Sequence, residues 1–256
     1  MKLVSWNVNS INARLDRFLP FLQEQQPDVI CLQETKCQDE KFPSTILKEL
    51  GYEYQYLHGQ KSYNGVAILG KKRLDLVSSL LPGINLDQAR FIHVRSESYH
   101  IINLYAPNGQ HITAPAFQYK MEWFEQLIRY LINHQKHGLP TIIAGDFNIA
   151  RDALDVYDPD LFEGSLLFTK QERQIFSRLL DMGYQDIFRV LQPSVQMFSW
   201  WDYRQLSFPK NKGARIDYIL CDTNVLSQCL QCTIDRNWRK GKKPSDHAPL
   251  ILVTSE

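Results

Sequence analysis

Acids and amides in this chain of 256 residues fall at the ends of apolar runs. Asn7 and Asn9 follow the run ending at Trp6, Glu34 follows Val-Ile-Cys-Leu-Gln33, and Asp146 and Asn148 follow Thr-Ile-Ile-Ala-Gly145. Tyr105 ends another run, with Asn108 three residues on. Asp217 lies inside Arg215-Ile-Asp-Tyr-Ile-Leu220, and Asp246-His247 stands immediately before the last run. A carboxylate at the edge of a buried strand is costly without partners. Several such edges at one rim would form a carboxylate, amide and histidine cluster. Hard oxygen donors select Mg²⁺ or Mn²⁺, which neutralises a phosphate oxygen and stabilises a leaving alkoxide. An Asp beside a His orients the imidazole, a second carboxylate takes the proton of an attacking water, and amides donate to the oxygens of the transition state. The parts fit metal-assisted phosphodiester hydrolysis. Each alone is more often a turn former or a structural hydrogen-bond hub, and it is the combination that carries the reading.

The elements that must position them are strands. Apolar runs recur at 2–6, 28–32, 65–69, 74–80, 99–105, 140–144, 197–201, 215–220 and 250–253. Several are almost wholly apolar, as strands buried on both faces are. Leu15, Phe18, Leu19 and Leu22 have helical spacing, with Pro20 expected to start or kink that helix. Phe117, Met121, Phe124, Leu127, Ile128 and Leu131 form an amphipathic stripe ending near Gly138-Leu-Pro140. Thr169-Lys-Gln-Glu172 reads as a capping box opening a helix that stops at Gly183. Strands outnumber helices, which predicts two packed mixed sheets with helices outside. No repeat and no linker-like stretch divides residues 1–256, so one domain is expected.

Hydrophobic residues make up 44% and charged residues 22% of the chain, which excludes wholesale disorder. Mean hydropathy is −0.34, and no apolar run approaches the roughly 18 residues of a membrane span. The first residues run straight into a strand, leaving no room for a signal peptide. Five cysteines lack the spacing of a disulfide framework. A reducing cytoplasm is the expected compartment. Net charge is only +1, but it is uneven. Between Arg204 and Lys243, nine Lys/Arg face three Asp, a local +6 that leaves −5 on the rest. Such a flank suits a phosphate backbone beside carboxylates, or simply a solvated surface.

Five motifs then appear in order: Trp6-Asn-Val-Asn9, Leu32-Gln-Glu-Thr-Lys36, Gly145-Asp-Phe-Asn148, Arg215-Ile-Asp-Tyr218 and Pro244-Ser-Asp-His-Ala-Pro249. They resemble the exonuclease III family of abasic-site endonucleases, within the endonuclease/exonuclease/phosphatase superfamily. The stretches 59–67 and 198–204 are similar to the bacterial branch, so the resemblance covers essentially the whole chain. It implies a four-layer α/β sandwich (DNase I-like) with a Mg²⁺ site at the sheet rim, Mn²⁺ substituting. Glu34 would be the principal metal ligand with Asn7 beside it, and Asp146, Asn148, Asp246 and His247 would complete the metal-binding set. Asp146 would activate water or protonate the leaving group, and Asn148 would stabilise the transition state. Asp246 would orient His247, and His247 would contact the phosphate or act as base. Asp217 would support the site, and Tyr105 would act near the phosphate. Whether Asp146 or His247 is the base stays open. Asn108, Lys120, Trp200, Arg204 and Ile216 would contact DNA, with Trp200, Arg204 and Ile216 lining a pocket for a flipped-out abasic sugar. Ala214 lacks the bulk that some relatives place there.

The implied function is a DNA-repair nuclease. It would cleave 5′ to abasic sites in double-stranded DNA and process nicks or blocked 3′ ends, as a monomer in the cytoplasm at the nucleoid. The competing readings are a phosphodiesterase of the same superfamily with a non-DNA substrate, and a non-catalytic DNA binder. Cys229-Leu-Gln-Cys232 lacks a second ligand pair for zinc and reads as half-buried strand or loop. His134 and His137 are expected to be exposed at a helix end, and Lys71-Lys-Arg73 to form a turn.

Overall fold

The structure, a computed structural model, describes residues 1–84, 88–134 and 138–255. Its strands are β1 (Lys2–Asn7), β2 (Val29–Gln33), β3 (Tyr54–His58), β4 (Val66–Gly70), β5 (Asp75–Ser78), β6 (Phe91–Arg95), β7 (His100–Tyr105), β8 (Thr141–Asp146), β9 (Tyr184–Asp186), β10 (Asp217–Asp222), β11 (Cys229–Ile234) and β12 (Leu250–Thr254). The helices are α1 (Leu15–Gln25), α2 (Ser44–Glu49), α3 (Pro115–His134), α4 (Pro159–Phe162), α5 (Lys170–Asp181), α6 (Ile187–Leu191) and α7 (Thr223–Leu226). The strands form two mixed six-stranded sheets, ordered β11-β12-β1-β2-β4-β3 and β5-β6-β7-β8-β10-β9.

Alternation along each strand explains the layering. On β1, Leu3 faces the core between the sheets, whereas Val4 and Trp6 face Phe18, Phe21 and Leu22 of α1. On β8, Ile142 and Ala144 face the other sheet, whereas Ile143 packs with Phe124 and Leu127 of α3 and Phe176 of α5. Both faces are covered, so the strands read as unbroken apolar runs. The result is helix, sheet, sheet, helix, as the resemblance implied.

The helical expectations hold with adjustments. Pro115 opens α3 at a position where a missing N–H costs nothing. The capping box is formed at α5: Thr169 Oγ1 accepts from the Glu172 N–H, and Glu172 accepts from the Thr169 N–H at 2.9 Å. Pro20 lies inside α1 on its exposed side, where water can meet the carbonyl left unbonded. The run 197–201 is not a strand. Trp200 forms isolated bridges with Ala214 and His247, and Ser199 and Trp201 add backbone hydrogen bonds to Ala214 and Asp246, too few to make a ladder. The strands at 54–58, 91–95 and 184–186 lacked a clear apolar signature, since tyrosine, histidine, glutamine and arginine interrupt them.

Cys229 and Cys232 sit on β11, and both face the core between the sheets. Three residues apart they would point to opposite faces. A bulge between Cys229 and Gln231 restores the match. Lys71–Arg73 connects β4 to β5, as expected. No described helix is long and apolar enough to cross a membrane.

Candidate active site

Alternation and register together build the rim. Asn7 shares the face of Leu3 on β1, Asp146 that of Ala144 on β8, Asp217 that of Ile219 on β10, and Tyr105 that of Ile101 on β7. All four therefore point into the seam between the sheets at strand ends. The ladders align them further, since Tyr105 and Asp217 both lie directly opposite Asp146 on neighbouring strands. Gly145 permits the close approach, because a Cβ there would meet the Leu104 carbonyl oxygen at 2.0 Å, with φ at +153°.

Asn7 bridges the sheets: its amide donates to Glu34 Oε1 at 2.8 Å and to Asp146 Oδ2 at 3.0 Å. Glu34 Oε2 pairs with the Lys36 ammonium at 2.7 Å, and Lys36 also donates to Asn9 Oδ1. Asn9 in turn donates to Asp246 Oδ1 at 2.9 Å, and the Trp200 indole N–H donates to Asp246 Oδ2 at 3.2 Å. His247 Nδ1 lies 2.8 Å from Asp217 Oδ2 and its Nε2 lies 3.7 Å from Asp146 Oδ2. The imidazole is thus oriented by Asp217, whereas the sequence reading gave that role to Asp246. Asp246 faces Asn9 and Trp200 instead, because successive residues of an extended segment point opposite ways. Asn148 N–H donates to Asp146 Oδ1, and Asn108 donates to Asn148 Oδ1 at 3.1 Å.

The loops that carry these groups are pinned. Ser199 Oγ accepts from the Ile216 and Asp217 amides, each at 3.1 Å. Ser245 Oγ donates to the Asn7 carbonyl at 2.6 Å and accepts from the His247 N–H. The Trp6 indole holds the His247 carbonyl. Glu34 and Asn148 adopt left-handed backbone, with φ of 51° and 50°. For a glutamate this conformation costs about 1–3 kcal/mol, whereas asparagine adopts it more readily.

Burial and neighbours set the protonation states. Burial pushes Asp146 up to about 7, helped by Asp217 and Glu34 and opposed by His247. Burial disfavours charge on His247, but Asp217 and Asp146 outweigh it and raise the imidazole to about 10. For Glu34, burial would raise the carboxyl, yet Lys36 and the Asn7 hydrogen bond hold it below the usual range. Tyr105 is driven well above its ordinary value by burial, then by Glu34 and Asp146. The cluster therefore contains an ionised carboxylate, an imidazolium and a carboxyl group balanced near neutrality.

Glu34, Asp146 and His247 lie with possible ligand atoms within 4.8 Å of one another, but an imidazolium has no lone pair for a metal, which leaves the oxygens of Glu34 and Asp146. Glu34 is partly open to solvent and already holds a cation, the Lys36 ammonium, and its neighbour Asn7 adds an amide. This oxygen-rich set fits a hard divalent ion.

The other expected contacts divide. Trp200 lies half-buried beside Asp246, against a cluster that contains Ala214 and Ile216. Ile216 is only 2% exposed and backs that cluster, offering little surface to a ligand. Arg204 is exposed and paired with Asp202 at 2.6 Å. Lys120 requires correction. Its side chain is fully buried on α3, ion-paired with Glu172 and donating to the Asn148 carbonyl at 2.6 Å and the Asn108 carbonyl at 3.3 Å. It cannot meet a phosphate, and it braces the two asparagine loops from behind. Residues that sequence reasoning passed over are Lys36, Ser199 and Ser245. Lys36 and Ser245 lie in the ordered motifs and Ser199 in the stretch 198–204, which was the available signal.

A seam between two packed sheets, lined by carboxylates, amides and an oriented histidine, defines the class of metal-assisted phosphoester hydrolases. The model of the Endonuclease/Exonuclease/phosphatase family matches residues 4–247, and the chain belongs to that family. It is 37% identical to exodeoxyribonuclease III of Haemophilus influenzae over 98% of both chains. Among solved structures, a 3′ phosphatase from Neisseria bound to a product DNA hairpin superimposes at TM-score 0.94 with 34% identity, covering both chains fully. An AP endonuclease from Archaeoglobus fulgidus matches equally, at TM-score 0.94 and 33% identity over all of both chains.

Proposed function

We propose that this chain is a DNA-repair nuclease that uses Mg²⁺, with Mn²⁺ as a substitute, to hydrolyse the phosphodiester 5′ to abasic sites in double-stranded DNA. It also trims or cleans 3′ ends, acting as a monomer in the cytoplasm at the nucleoid. The observation that carries the reading is the seam cluster, in which Asn7 joins Glu34 to Asp146 and Asp217 orients His247. The relatives named exodeoxyribonuclease III, 3′ phosphatase and AP endonuclease support DNA as the substrate.

Glu34, with Asn7 beside it, would hold the divalent ion, which would supply neutralisation of charge on the phosphate. The imidazolium of His247, fixed through Nδ1 by Asp217, donates Nε2–H to a phosphate oxygen. Because His247 keeps its proton, the base role falls to Asp146, which takes the proton of the attacking water through Oδ2. Asn148, braced by Asn108 and Lys120, is placed to donate to an oxygen of the transition state once the Asn148 amide leaves the Ala106 carbonyl, 3.0 Å away. Trp200 presents an aromatic wall beside Asp246 for the abasic sugar. The lysines of 240–243 hold the backbone without reading sequence.

The test is cleavage of a labelled duplex carrying one abasic-site analogue, with Mg²⁺ or EDTA, alongside intact, nicked and 3′-phosphorylated duplexes. Mg²⁺-dependent incision at the analogue is expected. Action on the nicked or phosphorylated duplex alone would leave a 3′-end-processing enzyme whose pocket rejects the abasic sugar. No action on any DNA would move the reading to a phosphodiesterase with another substrate.

A further inference from the structure

At the other end of β7 from Tyr105, about 16 Å along the strand, three histidines meet. His93 on β6 lies opposite Ile102 on β7, so it shares a face with His100 two residues earlier. That face packs on α3, whose last turn carries His134, four residues after Tyr130 and on the same side of the helix. His93 Nε2 lies 2.9 Å and His134 Nε2 lies 3.3 Å from His100 Nδ1. Each histidine places a nitrogen within 4.8 Å of the others. This corrects the expectation that His134 is exposed; His137 lies outside the described residues.

We infer that His93, His100 and His134 form a second metal site, which takes a zinc-like divalent ion through three imidazole nitrogens. Zn–N bonds of about 2.0–2.1 Å at a tetrahedral angle set ligand nitrogens about 3.3 Å apart. The two distances here need little adjustment. Imidazole donors without carboxylates favour zinc, copper or nickel over magnesium, so the site is chemically distinct from the rim. The rings are already fixed: His134 stacks on Tyr130 at an interplanar angle of 2°, and it meets His93 and His100 edge-on with centroids 4.3 and 4.5 Å apart. Tyr130 OH lies 2.7 Å from His93 Nδ1. With Nδ1–H directed at that oxygen, His93 Nε2 carries the lone pair a metal requires. His93 is fully buried and His134 half-buried, so solvent reaches the group from the α3 side. Bound there, the ion ties the end of α3 to the β6–β7 hairpin.

The experiment is equilibrium dialysis of the chelator-stripped, full-length protein against Zn²⁺ in excess Mg²⁺, with His134→Ala and Glu34→Gln beside the wild type. The expected result is one zinc per chain in the wild type and in Glu34→Gln, and binding weakened about tenfold or more in His134→Ala. Ring-nitrogen NMR of the unmodified protein supplies a readout independent of any variant's folding. Zinc should shift the signals of His93, His100 and His134. No zinc retention, retention unchanged by His134→Ala in a folded variant, loss in Glu34→Gln alone, or unshifted ring signals would each overturn the inference.

Discussion

Asp146 and Glu34 sit a single amide apart and yet are driven in opposite directions. Asp146 is fully enclosed, so its charge is unfavourable, whereas Glu34 has Lys36 against it. Such divergence is how neighbouring carboxylates acquire different tasks. Asp146→Asn is expected to lower kcat by about 10²–10⁴-fold, the span of a lost general base, measured on abasic duplex with saturating Mg²⁺. It should also raise thermal stability in EDTA. The folded Asp146 binds its proton more tightly than the unfolded chain does, so its contribution is present at low pH and lost as pH rises from about 4 to about 7. Calorimetric melts should therefore show a larger gain for the variant at pH 8 than at pH 4. Glu34→Gln removes the charge that holds the cation. It is expected to raise the Mg²⁺ concentration for half-maximal cleavage, read from a metal titration. These side chains were legible because several acids and amides at the ends of apolar runs recur together in ordered motifs, although each alone is an ordinary turn residue. Their partners were not, because the aspartate that meets His247 is Asp217 on β10, thirty residues away, and not its sequence neighbour Asp246.

Element by element, the rim is held from behind by buried ions. Glu172 serves at once as the capping-box residue of α5 and as the partner of Lys120 on α3, and Lys120 ties both to the Asn148 and Asn108 loops. Arg215 is likewise buried, its guanidinium shared between Asp155 and Asp186 at 2.7–3.0 Å just before β10 begins. Removing one partner of such a pair leaves an uncompensated charge, at about 3–5 kcal/mol. Lys120→Met should destabilise by that amount in urea unfolding, and adding Glu172→Gln should recover part of it. Where Lys120→Met remains folded, kcat should fall more than DNA affinity, because the lysine positions Asn148 and touches no phosphate. The capping box was readable as a four-residue pattern. Its second use was not, since Lys120 and Glu172 are 52 residues apart.

For the whole molecule, the basic flank shrinks once folded. Arg215 and Arg239 are buried, and the exposed charge reduces chiefly to Arg204, Lys210, Lys212 and the loop with Lys240, Lys242 and Lys243. Arg17 of α1 holds that loop next to the rim through the Trp238 and Lys240 carbonyls, at 2.8 and 2.6 Å. Replacing Lys240, Lys242 and Lys243 by alanine should weaken DNA binding and reduce the salt slope of log K by about 1 for each phosphate that is no longer neutralised. Cleavage at saturating DNA should be little changed. From sequence alone, this chain determined its central strands, their two buried faces and the residue types at their ends, because alternation and capping are local properties of a few neighbours, whereas the strands at 54–58, 91–95 and 184–186, interrupted by polar residues, left no such signal. The tertiary structure decided which acid orients His247, which basic residues reach solvent, and that three histidines from β6, β7 and α3 meet. Those outcomes depend on the stacking of two sheets and the seating of one helix, which bring together residues far apart in the chain in ways no local spacing encodes.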